Sequence, residues 1–178
     1  MDLFEAIQGR RSIRAFTAKD VPDDMVLKLI DAARMAPSAG NVQPWEFIVV
    51  RDNRYKDSLA TAALGQSFIS EAPVVVVVCA DLERASWAYG QRGKTLYCIQ
   101  DTAAATQNLL LAAYGLGLGA CWVGAFDENL TKKILTIPDR YRPVAIIPIG
   151  YPARSPHPTD RRSLKEIVHY ERFQPRQV

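Results

Sequence analysis

The sequence predicts one domain of mixed helices and strands, built around a central sheet. The chain has 178 residues, which is a usual length for a single domain with its own core. Residues 72–79 form a continuous, mostly β-branched run that is too short for a core helix and is typical of a strand buried on both faces, at the centre of a sheet. Residues 95–114 have the apolar spacing of a long helix, which predicts a buried helix. The narrow polar face of that helix consists of Gln100, Asp101, Gln107 and Asn108.

The other elements follow from periodicity and from residues that start or stop helices. Asp2 can cap a first short helix that Gly9 ends, and Pro22 opens a second helix that stops at Pro37. Further strands are predicted at 45–50, 118–123 and 144–150. Further helical segments are predicted at 55–64 and between Asp127 and Pro138, and residues 164–169 form a last short element.

Composition and charge exclude several classes of protein. Lys and Arg total 22 against 19 Asp and Glu, so the net charge of +3 leaves no polybasic arm for nucleic acid. No apolar stretch reaches the roughly 20 residues that span a bilayer, and the charged N-terminus does not resemble a secretory signal. We therefore expect a cytoplasmic protein that binds neither nucleic acid nor a membrane.

Cysteine and histidine usage predicts neither a disulfide framework nor a metal site. Cys79, Cys98 and Cys121 form no CxxC pair, and Cys79 ends the valine run, where a small buried hydrophobe is expected. His157 and His169 have no acidic or thiol partner at metal-ligand spacing.

Two polar segments are candidates for ligand binding. Residues 10–14 place three arginines and Ser12 directly after a helix end, a combination that suits a phosphate, although a solvated basic loop remains an alternative. Residues 36–45 form a loop with prolines, a glycine and short polar side chains, which can offer donors to a planar ligand or simply form a turn around Asn41.

The glycines at 115, 117 and 119 superficially match a dinucleotide-binding motif. They follow a predicted helix and precede a predicted strand, whereas that motif requires the strand first and the helix second. We therefore reject this interpretation.

The C-terminal part of the chain is predicted to leave the body of the domain. Residues 152–160 are proline-stiffened, and the segment 161–168 combines Arg161, Arg162 and an apolar stripe in a way that suggests docking on a partner subunit. A surface tail is the alternative.

Taken in order, these segments make the chain resemble the FMN-dependent nitroreductase family. The resemblance covers nearly the whole length. It is carried by RRSIRAF at 10–16, APSAGNVQPW at 36–45, EAPVVVVVCAD at 71–81, GLGLGACWVGAF at 115–126, IPIGYP at 147–152 and RRSLKEIV at 161–168.

This resemblance implies an α+β fold with a central, mostly antiparallel sheet flanked by helices. It implies a single domain over 1–178 that forms a homodimer, with 152–178 as a domain-swapped arm and two FMN sites at the subunit interface. Arg10, Arg11 and Ser12 would hold the flavin phosphate or ribityl chain, and Arg14 the pyrimidine edge. Pro37, Ser38 and Asn41 would come from the other subunit. The remaining implied contacts are Gln66 at the ring, the backbone of Trp122, Val123 and Gly124 near N5, and Arg161 and Arg162 at the phosphate.

The implied activity is NAD(P)H-dependent reduction of nitroaromatics, quinones or related acceptors through tightly bound FMN, with ping-pong kinetics. The cofactor carries the chemistry, so no catalytic side chain is required. The alternatives are a flavin-binding or redox-sensing protein with little turnover, and a branch that dehalogenates aromatics or fragments flavin.

The segment 81–95 is a candidate lid over the site. It is polar, and Trp87, Tyr89 and the nearby Tyr97 could stack on a planar acceptor. Aromatic residues that only anchor a loop are the alternative.

Overall fold

The computed structural model describes residues 2–174 and contains one four-stranded sheet. Met1 and residues 175–178, the end of the predicted arm, lie outside the described residues. The strands lie in the order β1-β2-β4-β3, and every neighbouring pair is antiparallel. Their bounds are Trp45–Val50 for β1, Val74–Asp81 for β2, Gly119–Ala120 for β3 and Tyr141–Gly150 for β4. The α+β class and the antiparallel sheet are therefore confirmed.

Helices cover the sheet and connect its strands. The first four helices are α1 (Leu3–Gly9), α2 (Asp23–Arg34), α3 (Asn53–Ala62) and α4 (Phe68–Glu71). The next four are α5 (Leu82–Arg92), α6 (Cys98–Gly115), α7 (Glu128–Leu135) and α8 (Leu164–Ile167). A 3-10 turn at Ala39–Asn41 and a π-helical turn at Gly93–Tyr97 complete the helical segments.

Strand β2 is the centre of the core, as the valine run predicts. All eight of its residues are buried. Because side chains alternate along a strand, Val74, Val76 and Val78 pack with α2 and α6 on one face of the sheet, and Val75 and Val77 pack with α3 on the other. The sheet is thus covered on both sides.

Two predicted elements differ from the structure. The strand expected at 118–123 is reduced to the two residues of β3, because the chain then leaves the sheet edge and returns only at a bridge between Val123 and Ile146. The segment 81–95, expected as a loop, is helix α5, which Asp81 caps by accepting a hydrogen bond from the Arg84 amide at 3.0 Å. The helix is interrupted at Tyr89 and Gly90, which have non-helical backbone angles.

The long helix also starts later than predicted, and its polar residues are not all exposed. Helix α6 begins at Cys98, and the π-helical turn occupies the preceding residues. Asp101, expected on the polar face, is buried at 7% exposure. Its carboxylate accepts a hydrogen bond from another part of the chain, which the helical period alone does not reveal.

The segment after β4 begins alongside the basic segment and then becomes exposed. The Ala153 amide donates to the Ala15 carbonyl and the Thr17 amide to the Tyr151 carbonyl, both at 2.9 Å. From residue 152 to 168 every described residue is exposed, including α8. No helix within residues 2–174 is both long and apolar enough to cross a membrane.

Candidate functional site

The basic segment 10–14 runs from the end of α1 to the edge of the sheet. The Ile13 amide donates to the Ala120 carbonyl at 3.0 Å, and Ser12 forms a parallel bridge with the same residue. Ile13 is buried against Gly119, where a Cβ would overlap its side chain, so the glycine permits this close approach. The contact fixes the backbone that carries Arg10, Ser12 and Arg14.

The three arginines of this segment are used differently. Arg11 turns back and donates to the Gln8 and Arg10 carbonyls at 2.5 and 2.9 Å, groups at the end of α1 that lack helical partners. The Arg14 guanidinium lies 5.9 Å from the centre of the Phe68 ring. The Arg10 guanidinium donates to no protein acceptor in the described part of the chain, and it lines a cavity of about 270 Å³ with Tyr114 and Gly119.

A second cleft lies along the same segment. Ser12 and Arg14 line it together with Arg154 and His157 from the start of the arm, and its volume is about 420 Å³. Sequence reasoning missed Arg154, because only the backbone pairing between residues 15 and 153 shows that it lies beside the basic segment. A cleft with two guanidiniums and a hydroxyl can bind an anion.

The segment from Cys121 to Ala125 presents free backbone donors beside the basic segment. The amides of Cys121 and Val123 donate to the Pro148 and Ile146 carbonyls of β4, at 3.3 and 3.0 Å. The amides of Trp122, Gly124 and Ala125 donate to no protein acceptor within residues 2–174, and all three residues are exposed. From Cys121 to Gly124 the amides alternate between the sheet and solvent, and Ala125 continues the free set, so three donors are available to a ligand.

Side-chain contacts join these two segments and bring Gln66 to them. Burial raises the pKa of the Cys121 thiol, while the neighbouring Arg14 and Ser12 act in the opposite direction. Gln66 donates to the Ala63 carbonyl at 2.9 Å and to the Ala125 carbonyl at 3.4 Å. Arg14 lies on Phe68, two residues after Gln66, and Gln66 reaches Ala125, so these side chains lie beside the 122–125 backbone. Their contact with a flavin stays a prediction.

The loop that carries Pro37, Ser38 and Asn41 lies elsewhere in the chain. Its Ala39 amide donates to Asp101 near the start of α6, whereas the basic segment meets the other end of α6 where Gly9 contacts Tyr114. Asp101 and Tyr114 are thirteen residues apart, which is about 20 Å along a helix axis. Within one chain, the loop and the basic segment occupy opposite ends of α6.

The two arm arginines are bonded locally. Arg161 donates to the Thr159 hydroxyl at 2.7 Å and to the Asp160 carbonyl at 3.1 Å, and Arg162 donates to the Glu166 carbonyl at 3.1 Å. Both arginines are exposed. The described part of the chain does not bring them to the other candidate residues.

The cysteines are buried free thiols. Burial raises the pKa of Cys79 to about 12, so this thiol stays protonated at physiological pH, and burial also raises the pKa of Cys98. No group of His, Cys, Asp and Glu side chains in residues 2–174 has the arrangement of a metal site.

Comparison with known proteins identifies the family. The model of the Nitroreductase family matches residues 7–68 and 56–151 of this chain. A relative from Methanothermobacter thermautotrophicus, whose name assigns it provisionally as an NADH dehydrogenase/NAD(P)H nitroreductase, is 37% identical over 180 residues, covering 97% of this chain and 88% of the relative. The oxygen-insensitive NADPH nitroreductase of Salmonella typhimurium is 31% identical over 96% of this chain and 74% of its own length.

A solved structure agrees with this comparison. The NADPH:FMN oxidoreductase of Vibrio harveyi, determined in complex with NAD+, is 26% identical and superposes with a TM-score of 0.90 over 98% of this chain and 79% of its own. Sequence and fold lead to the same conclusion: this chain belongs to the nitroreductase family.

Proposed function

We propose that this chain is an NAD(P)H-dependent flavin oxidoreductase that binds FMN and reduces nitroaromatics, quinones or related planar acceptors. Family membership supports the class, and the names of the Salmonella and Vibrio relatives include a nitroreductase and an FMN oxidoreductase. The observation that carries the proposal in this chain is the row of free amides at Trp122, Gly124 and Ala125 beside a cationic segment. FMN, when bound, supplies a two-electron carrier that takes hydride from the nicotinamide and passes it to the acceptor.

The residues of the site fit the two ends of such a cofactor. Arg10 and Ser12 would hold the phosphate, since a guanidinium offers a planar fork and a hydroxyl adds a donor. Arg154, which lines the same cleft as Ser12, would add positive charge there. The free amides from Trp122 to Ala125 would face the ring, and Gln66 would approach it from the Ala125 side. Arg14 would stabilise negative charge at the pyrimidine edge.

Two subunits are proposed to complete each site. The loop with Ser38 and Asn41 lies about 20 Å from the basic segment along α6. Within one chain, the two segments are therefore too far apart to contact the same flavin ring. Pairing with a second copy in the opposite direction would bring the loop of one subunit to the basic segment of the other. The arm, which is exposed over residues 152–168 and carries Arg161 and Arg162, is proposed to reach the partner as well.

An anaerobic titration tests the activity. FMN-loaded protein is mixed with NADH or NADPH, and the flavin absorbance is followed before an acceptor is added. We expect bleaching by the nicotinamide and recovery on addition of a quinone or nitroaromatic, in two separable half-reactions. A protein that binds FMN but is not bleached within minutes is a flavin-binding or sensing protein, and a protein that binds no FMN refutes the proposal.

A matched pair of variants tests the role of Arg14. Arg14→Ala is expected to lower the flavin midpoint potential, because the reduced flavin gains negative charge that Arg14 would stabilise. Arg54→Ala removes the same charge from the surface of α3, where Arg54 pairs with Asp52 at 2.7 Å, and is expected to leave the potential unchanged. Equal shifts in the two variants would mean that only net charge matters.

Assembly is tested by sedimentation at low protein concentration with and without FMN. If each FMN contacts both subunits, FMN stabilises the dimer by mass action and its removal promotes dissociation. A stable, fully loaded monomer would contradict the two-subunit site. Cytoplasmic location remains a prediction from the sequence.

A further inference from the structure

The loop from Pro37 to Gln43 has a demanding backbone conformation. Gly40, Asn41 and Gln43 all have positive φ angles of 53–55°, in the left-handed region that residues other than glycine rarely adopt. Such conformations persist only where the surrounding structure holds them. Bonds within the loop hold part of it, since the Gln43 amide donates to the Ser38 hydroxyl at 2.9 Å and the Gln43 side chain to Asn41 Oδ1 at 3.2 Å. Contacts from outside the loop hold the rest.

Three side chains from helices α5 and α6 contact the loop from outside. One is Arg84 of α5, which donates to the Val42 carbonyl. Asp101 of α6 accepts a hydrogen bond from the Ala39 amide at 3.1 Å, across 62 residues of sequence. Tyr89, at the interruption of α5, places its hydroxyl against Gly40, where a Cβ would not fit. The Tyr89 ring is in turn packed edge-on against Tyr97, with the ring centres 5.4 Å apart.

Asp101 lies in the first turn of α6, where a carboxylate favours the helix dipole, but its carboxylate accepts no hydrogen bond from α6 in the described residues. It lies in an alanine-rich stretch of α6 at 7% exposure, and its only hydrogen-bond partner in the described residues is the Ala39 amide. Burial raises the pKa of the Asp101 carboxyl, and the bond from Ala39 partly offsets that rise. An apolar residue of the same shape would suit this buried helical position better, because burying a carboxylate without a cation is unfavourable.

We propose that Asp101 is a positioning residue that fixes the 38–41 loop for ligand binding across the subunit interface. The inference rests on the proposed function, in which Ser38 and Asn41 contact the flavin bound by the partner. Asp101 itself touches no part of the ligand. It acts by holding the Ala39 amide, and with it the left-handed turn that presents the two side chains.

Two isosteric substitutions at this position give the test. Asp101→Leu keeps the shape of the side chain but removes the acceptor, and leucine is a good helix former in a buried position. Asp101→Asn keeps an oxygen that can accept the Ala39 hydrogen bond. Amide hydrogen exchange at Ala39, FMN affinity and melting temperature are measured for both variants and for the parent.

We expect Asp101→Leu to fold with an unchanged or higher melting temperature. The same variant should lose exchange protection at the Ala39 amide. Its FMN affinity should fall by about tenfold, which is the equivalent of one lost hydrogen bond. Asp101→Asn is expected to keep both the protection and the affinity. If Asp101 only stabilised the fold, Asp101→Leu would lower the melting temperature together with the FMN affinity.

Asn108→Ala is the matched control on the same helix. Asn108 donates to the Ala32 carbonyl at 3.2 Å, so it also joins α6 to the chain before the loop, but it does not contact residues 38–41. We expect this variant to keep the protection of Ala39 and the FMN affinity. The inference is overturned if Asp101→Leu retains both, or if Asn108→Ala loses them to the same extent.

The hydrogen-exchange measurement separates this inference from the proposed function. If the parent protein binds no FMN, the proposed function fails, while the Ala39 amide still reports whether Asp101 holds the loop. If the parent binds FMN and Asp101→Leu binds it equally well, the positioning role fails and the proposed function stands.

Discussion

Replacement of Arg10 by alanine tests the proposed phosphate contact most directly. Arg10 is half-buried, and its guanidinium donates to no protein acceptor in the described residues, so its donors are available to a ligand. Hydrogen bonds between charged groups contribute roughly 1.5–3 kcal/mol each, which corresponds to about one to two orders of magnitude in affinity. The partly buried position protects the pair from full screening by solvent and salt.

The assay is a titration of FMN at fixed ionic strength, followed by flavin fluorescence, with riboflavin as the comparison ligand. Arg10→Ala should weaken FMN by the full amount, and Arg10→Lys should be intermediate because lysine keeps the charge but loses the planar fork. Riboflavin has no phosphate, so the parent and Arg10→Ala should bind it about equally. Arg11→Ala is a charge-matched control with a smaller expected loss, because Arg11 donates to carbonyls at the end of α1.

Unchanged FMN affinity in Arg10→Ala would refute the assignment. An equal loss for riboflavin and FMN would also refute it, since the arginine would then act on the ring or on the fold. A loss in Arg11→Ala as large as that in Arg10→Ala would show that the titration measures net charge rather than a specific contact.

Three further predictions concern the thiols, the fold and the arm. The thiol of Cys79, whose pKa burial raises to about 12, should resist a thiol reagent at pH 8 in the native protein and react only after unfolding; rapid native labelling would contradict its burial. Asp81→Ala should lower the free energy of unfolding by about 2 kcal/mol in a denaturant titration, because Asp81 is buried, caps α5 and pairs with Arg140. Asp52→Ala removes an exposed cap of α3 and should lower the free energy of unfolding by less. A larger loss in Asp52→Ala than in Asp81→Ala would contradict the importance of burial at Asp81. Truncation before Pro152 should weaken both the dimer and FMN binding, whereas Arg161→Ala should remain dimeric and lose only FMN affinity. If both variants dimerise and bind FMN as the parent does, the arm does not have its proposed role.

Elements with a strong period or clear end signals could be predicted from the sequence. Strand β1 lies at Trp45–Val50, the residues expected, and β2 is the central buried strand that the valine run predicts. Helix α7 follows Asp127, which accepts a hydrogen bond from the Leu130 amide at 2.9 Å as a capping residue does. In each case the local pattern and the tertiary environment favour the same structure.

Predictions failed where tertiary contacts decide the local structure. Helix α5 was hidden by its polar composition and by Gly90, which interrupts it. Strand β3 is short because Trp122 and Gly124 lie outside the sheet, a departure that the apolar sequence around them does not signal. Asp101 was assigned to a polar face because helical spacing cannot show a partner from a distant loop.

The candidate site was predictable only in its parts. The residue types of the basic segment and the 36–45 loop indicate anion and planar-ligand binding. The structure brings Arg14 to Phe68 and Gln66 to Ala125, and their roles toward a flavin stay predictions. The separation of the loop from the basic segment by the length of α6 could not be read from the sequence, because it depends on which end of the helix each segment contacts.

The fully buried valine strand has a consequence for synthesis of the chain. One edge of β2 can pair early, since Val75 meets Val50 of β1, but the other edge waits for β4, where Val74 meets Ile149. Those partners are 75 residues apart, which takes about 4–15 s to translate at roughly 5–20 residues per second. During that interval β2, whose first seven residues carry no charge and have high β-propensity, has an open edge, a combination typical of aggregation-prone segments. Yield of the folded protein should therefore depend on the rate of translation and on chaperones that shield nascent strands.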